Sequence, residues 1–533
     1  KAEKFFDIVT YTGDGTTGRS VAHNLGSAPG MILIKNLSGE SWVVYHRGIG
    51  NTKSLTLNTT AAEDTSSAYW NNTDPTSTHF TLGNAGGPRN ENGVSYVAYL
   101  FAHDEQEFGE NSDEAIIHCG SYTGTGGAGT APVINLGFEP QWMLVKNAND
   151  SGGNWMIMDT MRGWGADGSD NGPKNLRPNT SEAEFNWGQY NYDLWTVNPT
   201  GFTVGPTDLY NVNNTTGAKY VYVAIARPNK PASEFAATNL FGIDTLGSTG
   251  DGAEPGFRST FPCDTGIRLD TSAASTELTS RLTQGKWMYT DQTSAEGTAN
   301  FAQFDYQNGW GASTSTASNY YGYMFRRAKG FFDVVTYTGD GTSTSFSHNL
   351  GATPELKIIK IRSDAFGWLV GGSAVTGGTT DYQLYLDTNA AQANTNYWGA
   401  VDSASAFSVV ASNFLSNASG QKYIAYLFAT VAGISKVGSY TGTGSDLNVD
   451  CGFSAGAKFV LIKRTDSTGD WYLYDSSRGI VAGNDPYKLL NSNAAQVTNT
   501  DYIDPLSSGF TVTSSAPAGL NASSGTYIFL AIA

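Results

Sequence analysis

Three markers recur in the same order five times along the 533 residues, so the chain is a series of copies of one fold. The first marker is a Thr-Gly-Asp-Gly or Thr-Gly-Thr-Gly tetrad, at Thr12–Gly15, Thr123–Gly126, Thr249–Gly252, Thr338–Gly341 and Thr441–Gly444. Tyr11, Tyr122, Tyr337 and Tyr440 precede four of these tetrads. The second marker is a small polar stretch, at Leu57–Glu63, Asn179–Glu184, Gln292–Glu296, Leu386–Gln392 and Leu490–Gln496. The third closes each copy: Tyr96–Ala102, Tyr220–Ala226, Tyr320–Phe325, Tyr423–Ala429 and Tyr527–Ala533. Each copy takes about 100 residues, a usual domain size. The expected domains are 1–104, 105–229 (with longer loops), 230–328 (the most divergent), 329–430 and 431–533. Lys1-Ala-Glu-Lys-Phe-Phe repeats Arg327-Ala-Lys-Gly-Phe-Phe, which follows directly on a closing marker. Residue 1 is therefore expected to sit at a domain junction, with the parent polypeptide continuing upstream.

The copies read as strands. Met31–Lys35, Trp142–Lys146, Leu356–Lys360 and Phe459–Lys463 are short, apolar and bounded by turn signals. Leu-Gly-x-x-Pro stands ahead of three of them, with Gly to admit positive φ and Pro to enter the strand. The next strand of each begins at Trp42, Trp155, Trp368 or Trp471. The tetrads suit hairpin tips. Helical periodicity is nearly absent, apart from a single turn expected at Ala61–Glu63 and its equivalents. The fold expected is all-β, a tandem array of five antiparallel β-sandwich domains. Closing strands such as Tyr423–Ala429 are apolar on both faces. They are expected at the centre, covered by the second sheet on one side and by something else on the other.

Charge and composition remove several functions. The net charge of −17 opposes phosphate neutralisation, so no nucleic-acid partner is expected. No apolar run approaches the length of a membrane-spanning helix, and no basic region leads an apolar stretch as in a signal peptide. Only 15% of residues are charged while 12% are aromatic, the reverse of a disordered acidic tail. The odd, widely spaced Cys119, Cys263 and Cys451 do not form a disulfide framework.

Phe331–Gly339, His23–Gly26, His348–Gly351, Ile462–Trp471 and Tyr96–Ala102 resemble a repeat domain of tail-fibre-like virion structural proteins of tailed phages, especially phages of marine bacteria. The likeness covers four copies well and the third weakly. It implies a virion location, other virion proteins as partners, a homo-oligomer such as the trimers common among fibres, and no catalytic residues.

Enzyme motifs match by spelling alone. Gly452–Gly456 fits Gly-x-Ser-x-Gly, but a strand follows where a nucleophile elbow needs a helix. Gly124–Gly129 fits a dinucleotide fingerprint, again with a strand where a helix N-terminus should stand. Neither catalytic residues nor a cofactor are expected. His23 and His348 share a slot before a turn, where a turn-stabilising hydrogen bond is favoured over a metal. Asp159 with Arg162, and Asp475 with Arg478, read as pairs fixing a turn, of little worth if exposed. Asp167–Gly172 is oxygen-rich but lacks a spaced bidentate Glu, so turn chemistry accounts for it. The contact candidate is 185–195, where Trp187, Gln189, Tyr190, Tyr192, Asp193 and Trp195 alternate aromatic platforms with polar groups. Such a surface suits a sugar or a protein partner, whereas the core is the competing place for Trp187 and Trp195. The expectation is a non-enzymatic tail-fibre or appendage component that presents loops to a host surface and its glycans. The alternatives are a capsid or tail decoration scaffold without a receptor role, a secreted carbohydrate-binding protein, and a secreted glycan-degrading enzyme.

Overall fold

The computed structural model describes residues 1–533 except 84–85, 104–107, 110–113, 128–130, 166–173, 187–193, 207–211, 247–253, 300, 313–318, 378, 380–381 and 396. Each copy builds one large antiparallel sheet and one small sheet. In the fourth copy the large sheet runs in the order Phe332–Thr338, Lys422–Phe428, Leu356–Ile361, Trp368–Gly371, Tyr382–Tyr385 and Ala393–Asn394. Thr344–Ser347 and Ala406–Val409 pair as its small sheet. The first and third copies repeat the six-stranded order. In the second and fifth, strands from the middle of the copy shift to the small sheet or to a separate pair, leaving four and five strands in the large one.

The closing strand is central in every copy. Phe332–Thr338 pairs with one of its edges and Leu356–Ile361 with the other. That placement follows from an apolar sequence on both faces. One face packs on the copy's own small sheet, as Tyr423, Ala425 and Leu427 pack with Phe407 and Val409. The other face meets neighbouring copies: Ile424, Tyr426 and Phe428 share a core with residues of the third and fifth copies.

Two local expectations are corrected. The tetrad is not a hairpin tip, because the strands on its two sides belong to different sheets: Phe6–Thr12 pairs with Ser95–Ala102, and Arg19–Ala22 with His79–Leu82. It is the crossover between layers, and its first glycine is required by close backbone approach. A Cβ at Gly13 would lie 2.0 Å from the Glu91 carbonyl oxygen, and one at Gly339 would lie 2.2 Å from that of Ala418. Ala61–Glu63 is not a helical turn either. Its amides are used elsewhere: Glu63 N–H donates to Ala148 O of the second copy. The short helices stand at Ser67–Trp70, Ser373–Thr376 and Ala518–Asn521.

Two compact units result, Lys1–Pro228 with two copies and Asn229–Ala533 with three.

Candidate functional site

Of the predicted contact residues, Trp187, Gln189, Tyr190, Tyr192 and Asp193 lie outside the described residues, as does the oxygen-rich loop Asp167–Gly172. Trp195 takes the core alternative. It is 1% exposed, its indole N–H donates to Tyr122 Oη at 2.9 Å, and its carbonyl accepts from Trp164 Nε1. His23 and His348 hold their turns: each Nδ1 accepts from the backbone two residues on, Leu25 and Leu350, at 3.2 Å. Each ring stacks on a phenylalanine of the small sheet, Phe80 or Phe407. Ser454 of Gly452–Gly456 sits in an exposed turn ahead of the strand Phe459–Arg464. No three His, Cys, Asp or Glu side chains come together as metal ligands among the described residues.

The two Asp–Arg pairs do fix turns. Asp159 caps the turn at Thr160–Arg162 and holds the Arg162 guanidinium at 2.8 Å. The second pair is more than the sequence suggested. Asp475 is 0% exposed, accepts from the backbone of Ser477 and Arg478, and receives Tyr323 Oη of the third copy at 2.8 Å. This is a buried network, not a surface pair, and losing either partner would strand a charge.

The first copy carries a polar cleft of about 510 Å³ lined by Ser27, Tyr45, Arg47, Asp74 and His103. Behind it, His46 Nε2 lies 3.0 Å from Tyr222 O, and the His118 ring packs against His103. Burial pushes both His46 and His118 down to about 4, so both are neutral near pH 7. The Cys119 thiol beside them is buried and driven upward by the same desolvation, so it stays protonated and inert. The cleft offers hydrogen-bonding groups and the exposed Arg47.

A different arrangement recurs throughout, the contact between copies. Trp155, Trp368 and Trp471 are each buried, and each indole N–H reaches back to the preceding copy. The acceptors are the carbonyls of Thr56 (3.0 Å), Tyr289 (2.9 Å) and Tyr385 (2.8 Å). The second sequence marker reaches forward. The N–H groups of Glu63, Glu296 and Gln392 donate to the carbonyls of Ala148, Arg362 and Thr465 in the following copies. A buried lysine supports each forward strand. Lys360 Nζ donates to Ile361 O, Phe366 O and, in the third copy, Thr293 O. Burial lowers Lys146, Lys360 and Lys463 to about 8.

Within residues 229–533 the contacts close a ring. Gln496 N–H of the fifth copy donates to Thr271 O of the third at 2.9 Å, repeating the Glu296–Arg362 and Gln392–Thr465 bonds. Thr290 Oγ1 donates to Leu490 O, and Lys488 Nζ to Ser272 O and Ala274 O. Phe241 and Tyr323 of the third copy pack edge-on against Phe459 of the fifth. One apolar core, including Phe325, Phe332 and Phe428, runs through all three copies. The expected tandem array is not an open row here: the third of these copies returns to the first.

Sequence reasoning missed one recurring residue. Asn90, Asn214, Asn417 and Asn521 are buried and tie the closing loop to the tetrad turn. Asn214 Oδ1 accepts from Thr125 N at 2.7 Å, and Asn417 Oδ1 from Asp340 N at 3.0 Å. Each stands six positions before the closing tyrosine, a constant offset that could have revealed it.

Fold and contacts together define an all-β protein of tandem antiparallel sandwich repeats joined through a repeated tryptophan-anchored interface. The chain belongs to the family described as a domain of unknown function (DUF7483), whose signature matches residues 2–229 and 261–533. No curated protein matches it.

Proposed function

We propose that the chain is a structural protein of a phage particle, a tail-fibre or appendage component that holds loops out toward a host surface. The supporting observation is the repeated interface: its tryptophans, Lys360, Lys488 and the Asp475–Arg478–Tyr323 network all serve to fix one sandwich against the next. Rigid mounting suits a presenting fibre, since weak contacts gain avidity only where their geometry allows simultaneous engagement. Three copies closed into a ring also provide threefold geometry within a single chain, suited to a fibre axis. Assembly of the chain as a homotrimer with other virion proteins belongs to the same proposal. Residues 187–193 and the polar cleft with Arg47 and Asp74 are the contact candidates for cell-surface glycans.

Two measurements test this reading. Antibodies against residues 1–533 should decorate the appendages of phage particles in electron micrographs, and the full chain should be retained by surface polysaccharide of the host. Label confined to the capsid surface, with no polysaccharide retention, would favour a decoration scaffold. Label absent from particles would overturn the virion assignment.

A further inference from the structure

We infer that residues 1–228 form two thirds of a three-repeat ring, with a docking face built to take one further repeat of this same fold. The closed ring of residues 229–533 shows what each position in such a ring contributes. There, every forward amide, every receiving carbonyl and two of three tryptophan positions are matched across copies. In residues 1–228 the first copy gives its amide to the second through Glu63 and Ala148, and Trp155 reaches back to Thr56. The other half of each pair is open.

On the first copy, Leu37 is the position equivalent to Ala148, Thr271, Arg362 and Thr465. Its own N–H bonds to Ser95 O within the copy, as theirs do to Lys219, Asn319, Lys422 and Thr526. Among the described residues nothing donates to its carbonyl, and Leu37 is 60% exposed. Trp42 is the equivalent of Trp155, Trp368 and Trp471: its backbone N–H bonds Asn58 Oδ1 as Trp155 bonds Asn179 and Trp471 bonds Asn491. The three equivalents are fully buried with the indole N–H bonded, whereas Trp42 is half-buried and its indole N–H meets no described acceptor. Phe6, Tyr99 and Phe101 beside it are also half-buried, while their counterparts Phe332, Tyr426 and Phe428 are buried.

On the second copy, Glu184 is the position equivalent to Glu63, Glu296, Gln392 and Gln496. It is exposed, and its N–H meets no acceptor among the described residues. Trp142, Ile157 and Ile225 are half-buried there, although their counterparts in the fifth copy, Phe459, Leu473 and Ile532, are buried. Phe459 is the residue that Phe241 and Tyr323 of the third copy cover.

The open donor, the open acceptor and the two half-exposed apolar faces are therefore those that the third copy fills between the fourth and fifth. The occupant is a repeat with the role of residues 229–326. It donates a marker-two amide to Leu37 O, gives a carbonyl to Trp42 Nε1 and covers Trp142 with aromatic side chains. A second copy of the chain does not fit the vacancy. Among the described residues, the marker amides and receiving carbonyls of its repeats 229–533 are already paired with one another, and its first two copies would bring two repeats to a place for one.

The test places a duplicate of residues 229–326 directly ahead of Lys1 of the full chain, recreating the junction found at Arg327. Tryptophans carry 5-fluoro labels, and the Trp42 resonance is assigned with Trp42→Phe. In the parent chain the Trp42 resonance should show the solvent isotope shift of an exposed indole at every protein concentration. In the extended chain it should lose that shift, and the thermal midpoint of residues 1–228 should rise. A second buried resonance for the duplicated Trp310 reports that the added repeat has folded. A second extended chain, with residues 329–430 as the added repeat, covers failure of the first to fold. Trp42 still solvent-exposed in both extended chains overturns the inference. So does a parent chain in which Trp42 becomes protected as concentration rises, because a second copy would then be the occupant.

Discussion

At the scale of single residues, the protein spends its largest side chains between repeats. Trp471 is 1% exposed, packs in the three-repeat core and bonds Tyr385 O at 2.8 Å. Truncating a buried aromatic of this kind costs roughly 3–5 kcal/mol. Trp471→Ala should therefore lower stability by about that amount in chemical denaturation, while Trp42→Ala, at the same position in the repeat but half-exposed, should cost about 1 kcal/mol or less. Equal losses would mean that burial in the ring is not what these tryptophans contribute. Asp485 gives a second residue-scale prediction. It is fully buried and accepts from the backbone N–H groups of Tyr502 and Ile503. Burial, reinforced by Asp501 and Asp504, nonetheless raises it from 3.8 to about 7. The folded state thus keeps a proton that the unfolded chain has already released. Its contribution is fully present below about pH 4 and is lost as the pH rises through 7. Relative to Asp485→Asn, the parent protein should lose thermal stability between pH 4 and 7; parallel melting profiles across that range would refute the assignment.

Among the elements, the closing strand sets the architecture, and it was the most legible part of the sequence. A run such as Tyr423–Ala429, apolar on both faces, implies cover on both sides, and the small sheet and the neighbouring repeats provide it. The strands from Met31, Trp142, Leu356 and Phe459 were equally readable, because short apolar runs between Gly and Pro signals leave few options. The tetrad misled because Asp-Gly favours a hairpin turn only when its flanking strands pair, and local sequence does not say which strands pair. Its true constraint is contact with a distant carbonyl. Gly339→Ala would push a methyl to 2.2 Å from Ala418 O, and backbone cannot give way cheaply. We expect a loss of about 1–3 kcal/mol in urea unfolding; unchanged stability would show that the crossover is loosely packed. The polar marker Ala61–Glu63 looked helical for the same reason: its partner is a carbonyl in another repeat, beyond any local rule. The Asp475–Arg478 pair was recognised as a turn clamp, but its burial comes from Tyr323, more than 150 positions away.

For the whole molecule, sequence periodicity revealed the number and order of repeats but not their closure, since identical linkers can join beads or a ring. What distinguishes the two is whether the last repeat of residues 229–533 bonds the first of them. Amide hydrogen exchange read at the five equivalent marker positions measures this directly. Glu63, Glu296, Gln392 and Gln496 should be protected together, because each donates across an interface, and Glu184 should exchange freely. Gln496 exchanging as fast as Glu184, with Glu296 and Gln392 still protected, would show an open row of repeats and contradict the ring.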